Sequence, residues 1–418
     1  MIASNAEIFR NFASSKTSLM KKLIALVFCC LSAIFVTAND GVFYASGNQL
    51  IPITETDISV KKEVLTINRV GNHLEVTVYY EFFNPVGEKE LLVGFEAEAA
   101  YNSLYDPMEL FPKHPHIRNF KVIMNGESLK YDIAHVELGR DEENGKYSPP
   151  KYYVNGQFQN WTRRQIKDTL AAWNSPIEMP VDYVYHFKAK FRPGLNIIQH
   201  TYDFDLSHSV EEVFYFPYVL TAANRWANHQ IDDFTLNINI GDHVSFYLFP
   251  DFFQSADEWK ILGKGKVTSD TVWFFTDGNE TPIFHIQHGG ISFHKENFHP
   301  EGELRISQRR EWTISSWTWS GEDDDFTAED ILGSLKDQYI PIVLSDERKK
   351  EDTYYTRFSP EQRRFLKNLP FAYRGYTFKD KALQDYFESC AWYLPNPDYK
   401  GDMEVFTEEE RKWVEFWK

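Results

Sequence analysis

The chain has 418 residues, 43% of them apolar and 16% aromatic, with 61 acidic against 44 basic side chains and a net charge of -17. That length allows two or three domains, and the apolar share supplies a true core. The acidity argues against nucleic acid and anionic membrane surfaces as partners.

Met20-Lys21-Lys22 opens a positive stretch, Leu23 to Val36 is apolar apart from Ser32, and Val36-Thr37-Ala38 offers small residues for cleavage. This is the pattern of a secretory signal peptide over residues 1–38, with the true start at Met20 and the mature chain from Asn39. The apolar run is too short to cross a bilayer comfortably, so the chain is not expected to span a membrane. Cleavage removes Cys29 and Cys30 and leaves Cys390 alone, so an internal disulfide is excluded. It also removes Arg10, Lys16, Lys21 and Lys22 against Glu7, which makes the remainder more acidic still.

Residues 39–320 read as strands. In "HLEVTVYYEFF", Leu74, Val76, Val78, Tyr80 and Phe82 share one face, while Glu75, Thr77 and Glu81 share the other. That period of two predicts a half-buried antiparallel strand. Gly71-Asn72 joins it in a hairpin to "VLTI", Val64 to Ile67. "VDYVYHFKAKF" alternates again, and Pro193-Gly194 then predicts a turn into "LNIIQHTYDF" as its partner strand. "FTLNINI", "TVWFFT", "PIFHIQH" and "EWTISSW" continue to about Trp319. Many short strands at regular spacing predict an antiparallel β-sandwich-like domain. One helical insertion, near 160–173, is signalled by Thr162 with Gln165 as a capping box.

After "SGEDDDF" the character changes. A connecting helix and charged linker are expected over 327–352, with Ile331, Leu332 and Leu335 apolar and Pro341 ending the helix. "SDERKKED" is a solvated charge run. Over 353–418, Ser359 with Gln362, Asp380, and Thr407 with Glu410 predict three capped helices. The fold class is therefore α+β, a large β-sandwich-like domain followed by a small all-α module.

The stretch "FAYRGYTFKDKALQDYFESCAWYLPN" lies in that module. Lys367, Asn368, Phe371, Ala372, Tyr373, Arg374, Gly375, Tyr376 and Phe378 occupy the places of an arginine-asparagine-x-x-tyrosine-alanine-arginine-histidine-glycine-tyrosine-x-phenylalanine core. Lys379, Asp380, Leu383, Tyr386, Phe387, Trp392, Tyr393 and Pro395 continue the match. The segment resembles the YARHG domain, a small module at the ends of exported bacterial proteins. The resemblance covers about the last sixth of the chain, and implies a fold and an exported setting but no activity. Tyr373 and Arg374 depart from the naming motif, and Pro370 falls where the family builds a helix. A second stretch, "YFPYVLTAANRWANHQIDDFTLNINIG", resembles an uncharacterised family of exported proteins through Tyr218, Leu220, Thr221, Trp226, Ile231 and Phe234.

Arg374, Tyr376, Trp392 and Tyr393 are the candidate ligand-binding set, since aromatic faces and a guanidinium suit glycan or peptide. The competing reading makes the aromatics core of a small domain, with Gly375 supplying a positive φ. Arg374, which has no apolar role, is the functional candidate of the pair it forms with Gly375. His285, His288, His114 and His116 are the candidate metal ligands, although His285 and His288 point to opposite faces of a strand. No nucleophile elbow, zinc-protease motif or phosphate loop is present, and "GKGK" lacks the glycine spacing of the last. Cys390 lies on an apolar helix stripe and reads as structural. No cofactor is expected. The function that follows is an exported, periplasmic or surface, binding protein for an envelope glycan or partner protein. The alternative is a glycan or cell-wall hydrolase with a facing carboxylate pair.

Overall fold

The computed structural model describes residues 49–52, 56–104, 114, 116–137, 151–152, 177–206, 212–271, 278–309, 328–342 and 358–418. The expected leader (1–38), the insertion helix (160–173) and the charged run Ser345–Asp352 lie outside the described residues. In chain order the strands are β1 (Gln49–Pro52), β2 (Ser59–Val70), β3 (His73–Asn84), β4 (Lys89–Leu104), β5 (Ile117–Met124), β6 (Glu127–Ser128), β7 (Asp132–Glu137) and β8 (Lys151–Tyr152). They continue as β9 (Ile177–Phe191), β10 (Gly194–Asp205), β11 (Glu212–Tyr218), β12 (Ile231–Asn239), β13 (Val244–Leu248), β14 (Trp259–Asp270), β15 (Thr281–Phe298) and β16 (Leu304–Arg309). The helices are α1 (Ala328–Ser334), α2 (Pro360–Tyr373), α3 (Lys381–Glu388) and α4 (Glu408–Phe416).

The strands form a small sheet in the order β1-β4-β9-β7-β8 and a large one in the order β11-β16-β13-β15-β12-β2-β3-β10-β5-β6, with β14 on the other edge of β15. The alternation of β3 is the alternation that is buried. Leu74, Val76, Val78, Tyr80 and Phe82 are inside, and their neighbours face outward. β2 and β3 form the expected hairpin, with Val70 opposite His73 and Gly71 at φ 58°. The large sheet is mixed, because β12 runs parallel to β2. A strand arriving that late in the chain is under no hairpin constraint on its direction.

The turn at Pro193-Gly194 corrects an expectation. β9 and β10 do not pair. β9 lies between β4 and β7 in the small sheet, and β10 lies between β3 and β5 in the large one. The turn is a corner between layers. Gly194 has φ 85°, and Asn196 closes the turn by accepting from the Arg192 N–H at 3.0 Å and donating to the Arg192 carbonyl at 2.8 Å. The crossing from β3 to β4 runs beside it, since Asn84 Nδ2 donates to the carbonyls of Gly87 (3.1 Å) and Phe191 (3.3 Å). Inward faces of both sheets then meet, with Phe95 on Phe120, His200 and Tyr202, and Phe82 against Phe191. The far edge of the large sheet also rolls over, so that Phe216 of β11 meets Phe204 of β10.

β15 is the long strand that makes the roll. It pairs with β13 through its first half and with β12 through its second, while β14 follows it from Thr281 to Phe293. The change of partner falls at Gly289-Gly290. A Cβ on Gly289 would stand 2.0 Å from the Leu262 carbonyl oxygen, and one on Gly290 2.4 Å from that of Ile238. The "GKGK" and "HGG" stretches are therefore a bend where three backbones crowd together.

Helices α1 to α4 share a second core containing Leu332, Tyr339, Leu366, Tyr373, Trp392 and Trp413. The capping boxes at Ser359 and Thr407 and the Asp380 cap form as the sequence predicts. Pro370 sits inside α2. Its ring cannot donate to the Leu366 carbonyl four residues back and pushes against it. That carbonyl accepts from Trp413 Nε1 of α4 at 2.6 Å instead. Trp413→Phe should then leave a buried acceptor unpaired, and is expected to cost about 1–3 kcal/mol in urea melts. Adding Pro370→Ala restores a helical N–H to Leu366, so the double variant should recover part of that loss. Strict additivity would show that the indole does not replace the missing bond.

Candidate functional site

The end of α2 builds the first part of the site. The Gly375 N–H donates to the Ala372 carbonyl (2.8 Å) and the Tyr376 N–H to that of Phe371 (3.0 Å). These are the two bonds of a Schellman cap, with Gly375 at φ 76° as its left-handed residue. The Gly375 carbonyl accepts from the Asn396 N–H at 2.7 Å. A Cβ there would lie 2.1 Å from the Leu394 carbonyl oxygen. Gly375 is thus required twice, by its φ and by a crossing backbone.

The Arg374 side chain is packed into the module, which corrects the reading that it has no part in the fold. Its Nη1 and Nη2 each donate to a Glu410 carboxylate oxygen at 2.8 Å. They also donate to the carbonyls of Pro370 and Val405, both at 3.0 Å. The guanidinium lies 4.7 Å from the Phe406 ring centroid, and the Arg374 and Glu410 side chains are 15% and 8% exposed. Trp392 is fully buried and its Nε1 donates to the Leu335 carbonyl at 2.8 Å. Tyr393 is buried with its hydroxyl on the Tyr376 carbonyl at 2.8 Å. Tyr376 is the one aromatic of the four sequence candidates that is only partly buried. Tyr373, the other departure from the motif, is buried, and its hydroxyl takes up both the N–H and the carbonyl of Ile340.

The second part is the joint between this module and the large sheet. Lys264 Nζ donates to the Pro395 carbonyl (3.1 Å), Lys266 Nζ to that of Tyr393 (3.0 Å), and Gln287 Nε2 to those of Tyr373 (3.1 Å) and Leu394 (3.2 Å). Ser245 Oγ accepts from the Tyr339 N–H at 2.9 Å. Side chains of β13, β14 and β15 thus hold main-chain groups of the module, and the glycine bend sets their directions. His243, at φ 52°, packs its ring on Tyr339 and Tyr373.

His285 lies under the joint. Its Nδ1 is 2.8 Å from Ser245 Oγ and its Nε2 is 2.7 Å from Thr268 Oγ1. Because the Tyr339 N–H fills one Ser245 lone pair, the arrangement that satisfies every group has Ser245 donating to Nδ1 and Nε2–H donating to Thr268. Burial and the nearby Lys266 charge push His285 down to about 3, so its ring is neutral. A serine–histidine pair at this distance can activate a nucleophile, but both residues are fully buried and the serine oxygen is occupied by the module. The pair secures a joint. Burial pushes the Cys390 thiol up to about 12, which keeps it unreactive.

The four candidate metal ligands are not brought together. His285 is inside and His288 is exposed. His114 Nδ1 accepts from the N–H groups of His116 and Ile117, both at 3.1 Å, while its ring meets Tyr183 and that of His116 stacks on Phe204. Among the described residues no group of three or more His, Cys, Asp or Glu is placed to hold a metal. No helix among them is long and apolar enough to cross a membrane.

Residues 339–418 match the YARHG domain. The C-terminal module is a YARHG domain. Curated proteins give no match. Among solved structures, a candidate nutrient binding protein of Legionella pneumophila is similar at a TM-score of 0.41 and 16% identity, over 91% of this chain and 100% of that one.

The joint residues outside the YARHG domain escaped the sequence reading, since nothing local marks Lys264, Lys266 or Gln287 as module contacts. Glu63 did carry a signal. It falls in phase with Leu65 and Ile67 on the inner face of β2, and it is fully buried. Tyr218 donates to it at 3.2 Å and lies 3.3 Å from the Tyr80 hydroxyl. Leu220, Thr221 and Trp226 are also structural. Glu303 accepts from the N–H groups of Leu220 and Thr221, and Trp226 packs on Phe82 at 4.4 Å.

Proposed function

We propose that the chain is an exported binding protein of the bacterial cell envelope, whose β domain holds the YARHG domain in a fixed pose toward an envelope glycan or a partner protein. The β domain is read as a member of the uncharacterised exported family suggested by its Tyr218–Phe234 segment. The observation that carries the reading is the joint itself. Gln287, Lys264, Lys266 and Ser245 fasten the module by its backbone, while Met403 (40%) and Val405 (55%) stand exposed on the loop beside Arg374. Exposed apolar side chains on a rigid frame suit recognition better than a mobile tail does.

The test is co-sedimentation of the protein with purified cell-wall polymer, together with a pull-down from envelope extract. Met403→Asp with Val405→Asp is expected to abolish retention in one assay and to leave the melting temperature unchanged. Retention equal to that of the parent protein, or no retention by either, overturns the proposal.

A further inference from the structure

We propose that the joint is an acid-sensitive latch, in which protonation of His243 and His285 releases the YARHG domain from the large sheet while both parts stay folded. This deepens the binding reading by giving the module a held and a released state, and its test does not depend on any ligand.

The geometry makes the case. His285 bonds Ser245, which in turn holds the Tyr339 N–H, so its ring belongs to the chain of bonds that crosses the joint. His243 presses on Tyr339 and on Tyr373. His285 is fully buried and His243 is partly buried against the module, and a ring so placed has poor access to water for a charge. Charged groups face both rings. His285 faces Lys266 of β14. His243 faces Arg374 and His288, offset by Asp242 and by Glu410, which is already paired with Arg374. At the far side of the joint Arg309 stands 3.7 Å from Asp270, and Gln338 Nε2 donates to the Arg309 carbonyl. Burial pushes Asp337 up, which acts in the opposite direction.

Burial pushes His243 down to about 4 and His285 to about 3. Above the ordinary histidine value both states are neutral and docking is pH-independent. Below it the released state takes up protons that the docked state excludes, so docking weakens as pH falls from about 6.5 toward about 4, by up to about tenfold per pH unit for each ring. Each part has its own core, so release can precede unfolding.

Hydrogen exchange of the full chain reads this directly. The Tyr339 amide donates across the joint, whereas the Gly375 and Tyr376 amides donate within the module. Between pH 7 and pH 5, after correction for intrinsic rates, opening at Tyr339 should rise at least tenfold while Gly375 and Tyr376 stay protected. His243→Asn, which tolerates the positive φ, should reduce the slope of opening against pH, and His285→Gln should reduce it further. The slope is the readout because lost packing shifts its level without changing its steepness. Two outcomes overturn the latch. One is loss of protection at Tyr339, Gly375 and Tyr376 together. The other is an unchanged slope in His243→Asn, which stands even if His285→Gln fails to fold.

Discussion

Gly375→Val is expected to melt the YARHG domain well before the β domain, at a cost of about 3–5 kcal/mol. Two independent penalties combine. A β-branched residue is strained at φ 76°, and its Cβ would fall 2.1 Å from the Leu394 carbonyl oxygen. That oxygen cannot retreat freely, because it accepts from Gln287 across the joint. Gly333, whose Cβ would meet nothing within 4 Å, is the contrasting site. Gly333→Ala should be neutral or stabilising by about 0.5–1 kcal/mol. The check is thermal melting followed by near-ultraviolet dichroism, which reports the aromatic core of the module. A single transition at the parent temperature for Gly375→Val rules out the proposed crossing of backbones.

Arg374→Ala is the second large effect, and it reverses what the sequence suggests. The substitution leaves the Glu410 carboxylate, 8% exposed, without its cationic partner and with the Thr407 N–H as its remaining donor. Breaking a buried pair from one side costs about 3–5 kcal/mol, and with the arginine side chain 15% exposed solvent screening brings this to roughly 2–3 kcal/mol. Arg374→Lys keeps the charge but loses the fork, and should fall between. Glu410→Gln in the Arg374→Ala background should recover stability, because a neutral amide tolerates burial better than an unpaired carboxylate. Urea titration of these proteins together with the Glu410→Gln single variant gives the coupling. Parent-like stability of Arg374→Ala would show that the pair does not hold the fold.

What was legible in the sequence was local and periodic. The β3 alternation, the helix caps at Ser359, Asp380 and Thr407, and the turn glycine at 375 each declare themselves within a few residues. What was illegible depends on who sits opposite. Pro193-Gly194 has the composition of a hairpin turn, yet Asn196 folds it into a corner because β3 and β4 already occupy the pairing edges of β10 and β9. Arg374 looked unemployed because Glu410 comes 36 residues later. Pro370 looked misplaced for the same reason, since Trp413 stands 47 residues from Leu366. Glu63 is the instructive exception. An acid in phase with Leu65 and Ile67 is a signal of a buried carboxylate that went unread, whereas its partner, Tyr218, comes only from the fold.

The parallel pairing of β2 with β12 has a consequence for biogenesis. Lys61 and Asp232 bridge these strands although they are 171 residues apart. The large sheet therefore ends at β2 until the chain has emerged at least as far as β12. During synthesis, β2 waits with an unpaired edge. Such a topology orders slowly, because a long loop must close before any contact rewards it, and an open edge invites other strands. A chain built this way gains from being kept unfolded and escorted until its last strands arrive. Fragments ending before Ile231 should accumulate as aggregates, not as half-built sandwiches.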